Sequence, residues 1–121
     1  KQMFDIMIRD DVMERIYNKL VRDNIPNIIK NNGEIPVIKV LDRSEYKKAL
    51  ESKLYEEYKE VIASSGNDRL EELADMLEVI KSLAILENKN LNDIILLAEQ
   101  KSSKRGSFKE RIFLEKVITK K

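Results

Sequence analysis

Along the chain, apolar residues recur at two different periods, and the longest stretches follow the helical one. Between residues 42 and 64, Tyr46, Leu50, Leu54, Tyr58 and Val61 fall on one stripe of a helix that turns about 100° per residue. Asp42-x-x-Glu45 has the form of a capping box, in which the first side chain accepts from the backbone and the second reaches back, so a helix is predicted from there to about Ser64. Ser65, Gly66 and Asn67 interrupt it, and Asp68-x-x-Glu71 offers a second cap. Leu70, Leu73, Leu77, Ile80 and Ala84 then form a broad apolar arc, extended by Met76, Val79 and Leu83, which predicts a second helix ending near Glu87. So short a link makes the two helices antiparallel neighbours. After a turn at residues 88–90, Asn90 caps a third long helix from Leu91 to about Lys104, and residues 102–107 read as a loop closing at Gly106.

The flanks are shorter in period. Pro26 suits the first turn of a short helix and Gly33 the turn after it. Residues 35–41 are β-branched between Gly33 and Asp42 and predict one short strand, whose partner would come from the N-terminal or C-terminal segment. Phe4, Ile6 and Ile8 alternate as a strand would, although a frayed terminus reads the same way. In the tail from Phe108 onward, Ile112, Leu114 and Val117 are core candidates for a strand or a short helix. The chain begins with Lys and Met13 is a candidate start, so residues 1–15 are set apart as an extension of unclear role, with residues 16–121 as one domain. The expected fold is all-α, a helical bundle with a minor short β element. At 121 residues a flat helical pair often completes its core with a second copy, so self-association as a homodimer or homotetramer belongs to this expectation.

The two long helices carry acids where apolar residues belong. Glu57 falls inside the first stripe, with Glu56 and Glu60 at its edge. Glu72 projects among Met76, Val79 and Leu83, and Asp75 lies one turn along. Acids three apart are common on solvated helices, and taken singly each reads as a surface residue. The joint pattern differs because Glu57 and Glu72 interrupt apolar stripes on consecutive helices. A buried carboxylate costs several kcal/mol unless it is neutralised, paired or bound to a cation. Hard oxygen clusters of this kind suit Mg²⁺ or Mn²⁺. Glu51, Glu71 and Glu78 project to the polar sides and read as solubility residues.

Composition narrows the chemistry further. The chain has no cysteine and no histidine, which removes thiol chemistry, the usual zinc sites and any imidazole acid or base. A net charge of +1 gives no general attraction to a nucleic acid polymer or an anionic membrane. No apolar run approaches the roughly 20 residues of a membrane span and no signal-peptide pattern is visible, so a cytoplasmic protein is the expectation. Charge is uneven along the chain: residues 101–121 hold eight Lys or Arg against two Glu. Lys101, Lys104 and Arg105, at a predicted helix end, are candidate phosphate contacts, with Lys19 and Arg22 as weaker ones. The dipole of a helix C-terminus accounts equally well for the first group, and solvation in a loop for the second. Tyr55, Tyr58 and Phe108 are the candidates for stacking on a base.

The spacing EExxE followed by ExxD resembles the metal motif of the MazG-like, all-α nucleoside triphosphate pyrophosphatases. The segments IYNKLVRDNIPNII, VIKVLDRSEYKKALESKLYEE and SSKRGSFKERIFLEKV are similar to the phosphoribosyl-ATP pyrophosphohydrolase-like branch of that family, so the resemblance spans roughly residues 13–117. The resemblance implies Mg²⁺-dependent hydrolysis of a nucleoside triphosphate between its α and β phosphates, giving a monophosphate and pyrophosphate, in the service of removing unwanted nucleotides. It also implies that Glu56, Glu57, Glu60, Glu72 and Asp75 hold the ion, and that Glu57 or Glu60 acts on the attacking water. Two alternatives stay open. One is a helical partner-binding or regulatory module whose acids pair with lysines; the other is phosphoribosyl-ATP cleavage in histidine synthesis, which shares the chemistry.

Overall fold

A computed structural model describes residues 5–9 and 12–121, with side chains from Met13 onward. Two strands, β1 (Asp5–Arg9) and β2 (Val12–Ile16), are followed by helices α1 (Ile25–Asn31), α2 (Arg43–Ala63), α3 (Gly66–Leu86) and α4 (Leu91–Arg105). The fold is all-α with one small hairpin. In the hairpin β1 and β2 pair antiparallel, with Asp5 opposite Ile16 and Met7 opposite Glu14. Ile6 and Ile8 therefore do lie in a strand, and Phe4 is outside the described residues. Among the described helices none is long and apolar enough to cross a membrane.

Helix boundaries follow local chemistry. Asp42 accepts from the Glu45 amide at 2.8 Å while the Glu45 carboxylate accepts from the Asp42 amide, completing the capping box of α2. Asn90 and Asp93 form the same reciprocal pair at the start of α4. The second expected cap is not used: α3 starts one turn earlier, after Ser65, and Asp68 sits inside its first turn. There its charge still favours the positive end of the helix dipole. The turn from α2 to α3 is thus only Ser64 and Ser65, and it closes because Gly66 takes a φ of +58°. Helix α4 ends at Arg105, within one residue of the end expected near Lys104, and Gly106 closes it as expected; the loop expected from residue 102 therefore starts only there.

The antiparallel pair α2 and α3 is the centre of the molecule, and α4 packs on the C-terminal part of α3. Leu50, Val79 and Ala84 are the buried apolar residues among those described. The face of α3 turned to α2 runs through Glu72, Met76, Val79 and Leu83. The Leu70, Leu73, Leu77 stripe was expected to join this seam, but it lies roughly a third of a turn away on α3 and is exposed. Tyr58 is likewise 49% exposed, because α2 meets α3 through Leu50, Lys53, Leu54 and Glu57 instead. At the two ends of the pair, arginines bind main-chain carbonyls: Arg43 reaches Leu86 O at 2.9 Å, and Arg69 reaches Ser64 O at 2.9 Å.

The strand expected at residues 35–41 does not form. That segment has no regular structure, Pro36 lacks an amide for a ladder, and the N-terminal strand is paired with β2 instead. The tail beyond Gly106 is neither strand nor helix, and its apolar residues are exposed. Because Leu50 is 2% exposed at the α2–α3 seam, Leu50→Ala should destabilise the fold by about 3 kcal/mol in urea titrations. Gly66→Ala meets nothing within 4 Å, so its cost should be the strain of a positive φ alone, about 1 kcal/mol.

Candidate metal centre

An antiparallel helix pair brings residues level with one another when they lie equally far from the turn. Glu57 is seven residues before Ser64 and Glu72 seven after Ser65, so the short turn sets them opposite each other. Asp75 follows Glu72 by three positions and shares its face. Glu57, Glu72 and Asp75 each offer a carboxylate oxygen, and these oxygens all lie within 4.8 Å of one another. Glu57 and Glu72 are 6% and 4% exposed, whereas Asp75 is half-buried at the rim.

Cations meet this cluster from outside it. Lys53, one turn before Glu57 and mostly buried, places its Nζ 2.8 Å from Glu56 and 3.6 Å from Glu57. Arg22, in the segment between β2 and α1, donates from its guanidinium to Asp75 Oδ1 at 2.8 Å. Burial pushes the Glu57 carboxyl above the usual carboxylate range; Lys53 opposes that, while Asp75, Glu56 and Glu72 reinforce it by like charge. These three carboxylates are the residues that could hold a cation.

The other residues expected at the site are distributed differently. Glu56 is half-buried and tied to Lys53, and Glu60 is half-buried one turn nearer the α2–α3 turn, outside the three-carboxylate group. Of the expected cations Arg22 is in contact with Asp75, and the Lys19 ammonium lies 5.7 Å from the centre of the Tyr17 ring. Lys101, Lys104 and Arg105 occupy the exposed last turns of α4, and every residue from Ile95 onward is exposed. Among the described residues no ion pair joins these three to the cluster. Tyr55 and Tyr58 stack on each other with ring centres 6.2 Å apart, Lys59 covers Tyr55, and Phe108 is fully exposed. Lys53 was missed from sequence, although its i, i+3 and i, i+4 spacing to Glu56 and Glu57 is the signal that would have found it.

No protein-family model matches the chain, and no solved structure matches it. A protein of Mycolicibacterium smegmatis described as uncharacterized is 46% identical over 50 residues, which cover 41% of this chain and 51% of that relative. The match thus spans about half the length of that relative.

A carboxyl whose pKa is raised by folding stabilises the fold below its unfolded pKa of about 4.3, and that contribution is lost as pH rises through the folded value. Without divalent ions, Glu57→Gln should therefore raise the melting temperature at pH 7.5, on the order of a few degrees, and flatten its fall with rising pH. A scan of melting temperature from pH 4 to 8 on both proteins checks this.

Proposed function

We propose that this chain is a Mg²⁺-dependent nucleoside triphosphate pyrophosphohydrolase, cleaving between the α and β phosphates to give a nucleoside monophosphate and pyrophosphate. The observation that carries the reading is the convergence of Glu57, Glu72 and Asp75 from two facing helices, within 4.8 Å and largely out of solvent. The likeness of the EExxE and ExxD spacing to the MazG-like pyrophosphatases supports it. These three residues would hold the ion, with Glu56 and Glu60 on the adjoining face of α2. When bound, a divalent ion of this type neutralises charge on phosphate oxygens and makes a nearby water more acidic.

The chain's own residues then have defined tasks. Glu57 or Glu60 would be the carboxylate that accepts the proton of the attacking water. In the reaction, a water oxygen bonds to the α-phosphorus and the bond from that phosphorus to the bridging oxygen breaks. Pyrophosphate leaves, and the water's proton passes to the Glu57 or Glu60 carboxylate. Arg22, half exposed beside Asp75, has guanidinium donors free to turn toward phosphate oxygens at the rim. Removal of non-canonical nucleotides is the role that fits such chemistry, and phosphoribosyl-ATP cleavage differs from it only in substrate.

A second reading draws on one observation. Lys53 and Arg22 already balance part of the acidic charge, as they would in a helical partner-binding module whose acids serve only in ion pairs. The two readings separate in one assay. Incubation with Mg²⁺ and a panel of ribo- and deoxynucleoside triphosphates, including damaged analogues and phosphoribosyl-ATP, should release pyrophosphate and not orthophosphate. Glu57→Gln and Glu72→Gln should each lower turnover about 100-fold or more with an unchanged circular dichroism spectrum. Absence of turnover across the panel, with no Mg²⁺-induced rise in melting temperature, would leave the binding module standing.

A further inference from the structure

The three carboxylates at the seam are not held alike. Glu57 and Glu72 are fixed by burial, at 6% and 4% exposed, whereas the Asp75 side chain keeps 41% of its surface open at the rim. A half-exposed aspartate on a helix can turn between rotamers, so burial alone does not set its place in the cluster. Arg22 supplies the missing contact: its guanidinium donates to Asp75 Oδ1 at 2.8 Å, across 53 positions of sequence. That bond takes one carboxylate oxygen and leaves the other for an ion. A metal ligand is commonly oriented in this way by a neighbour that does not itself touch the metal.

The same residue is tied into the N-terminal part of the chain. The Arg22 carbonyl accepts from the Ile25 amide at 3.0 Å, in the turn that opens α1. Helix α1 has seven residues, none of them buried, and among the described elements no helix packs closely on it. So short a helix does not hold in water by its own hydrogen bonds, and its order depends on the contacts at its ends. At one end Arg15 pairs with Glu34, which joins β2 to the segment after α1 and not to the helix pair. At the other end Arg22 reaches α3. With the Arg22 side chain 56% exposed, such an ion pair is weak by itself, so this end is held loosely until Asp75 is fixed from its other side.

We propose that Arg22 is a positioning residue that couples the acidic seam to the N-terminal segment: it turns Asp75 toward a divalent ion, and an ion on Asp75 in turn holds residues 17–31 against α3. The inference rests on the ion site proposed above and adds to it a residue and a moving part. Such coupling is reciprocal, so whatever factor Arg22 contributes to ion affinity, the ion returns to the docking of the segment. In calorimetric titration with Mn²⁺ alone, Arg22→Gln should bind about 10-fold more weakly than the unaltered chain. With Asp75→Asn already present, the same substitution should change Mn²⁺ affinity by less than about twofold, because the contact it removes is gone. Arg15→Gln, which takes an equal charge from the hairpin, should leave the affinity unchanged. Hydrogen exchange followed by mass spectrometry should slow across residues 25–31 when Mg²⁺ is added to the unaltered chain, and should not respond to Mg²⁺ in Arg22→Gln. An Arg22→Gln chain that binds Mn²⁺ as tightly as the unaltered one, or more tightly, overturns the proposal and makes Arg22 a counter-ion that the metal displaces. So does a 10-fold loss that persists beside Asp75→Asn or is matched by Arg15→Gln, since Arg22 would then act by another route. An unaltered chain that binds no Mn²⁺ removes the ion site itself, which is thereby told apart from a failure confined to Arg22.

Discussion

The structure turns on two glutamates being taken out of water at the seam of α2 and α3. Apolar residues at those positions would have been the cheaper choice for stability, since a buried carboxylate needs compensation from its surroundings. Compensation here comes from the fold itself. Lys53 approaches from within α2, Arg22 reaches in from the segment before α1, and Glu57 moves its proton affinity upward. With few fully buried apolar side chains beside them, these charges occupy a large share of what would otherwise be core. The helix pair is organised around an electrostatic problem as much as around a hydrophobic one.

That organisation separates two kinds of surface. One face of α3 carries Glu72, Asp75 and Val79 toward α2, while another carries leucines into the open. A single antiparallel partner can cover one of these faces and not both, because they lie too far apart around the helix. The acidic seam and the leucine stripe therefore occupy different sides of the same helix. A change on one side leaves the other geometrically intact.

Much of this was readable from residue order. The periodicity of residues 42–87 placed Glu57 and Glu72 on inward faces, and the equal distance of each from the turn is a matter of counting. The capping box Asp42-x-x-Glu45 was visible as such and Asn90 as a cap, while the reciprocal part played by Asp93 was not read. What escaped was of two kinds. The choice between two apolar arcs on α3 depends on how α2 docks, and a helix with apolar residues over much of its circumference does not reveal which arc faces its neighbour. The strand expected at residues 35–41 rested on β-branched composition, which describes a surface suited to a sheet but supplies no partner, and Pro36 weakens any ladder there. The cations of residues 101–105 were read as site residues from local charge, whereas their position depends on the direction α4 takes after Ile94.

The two arginines at the extremities of the helix pair give the seam a mechanical character. Arg43 and Arg69 grip peptide oxygens of Leu86 and Ser64, groups that never titrate. Gaining or losing protons midway along the rods leaves both clamps untouched. Repulsion among the acids is thus answered at the carboxyls themselves, where Glu57 binds its proton more tightly, while both tips of the rods stay tied.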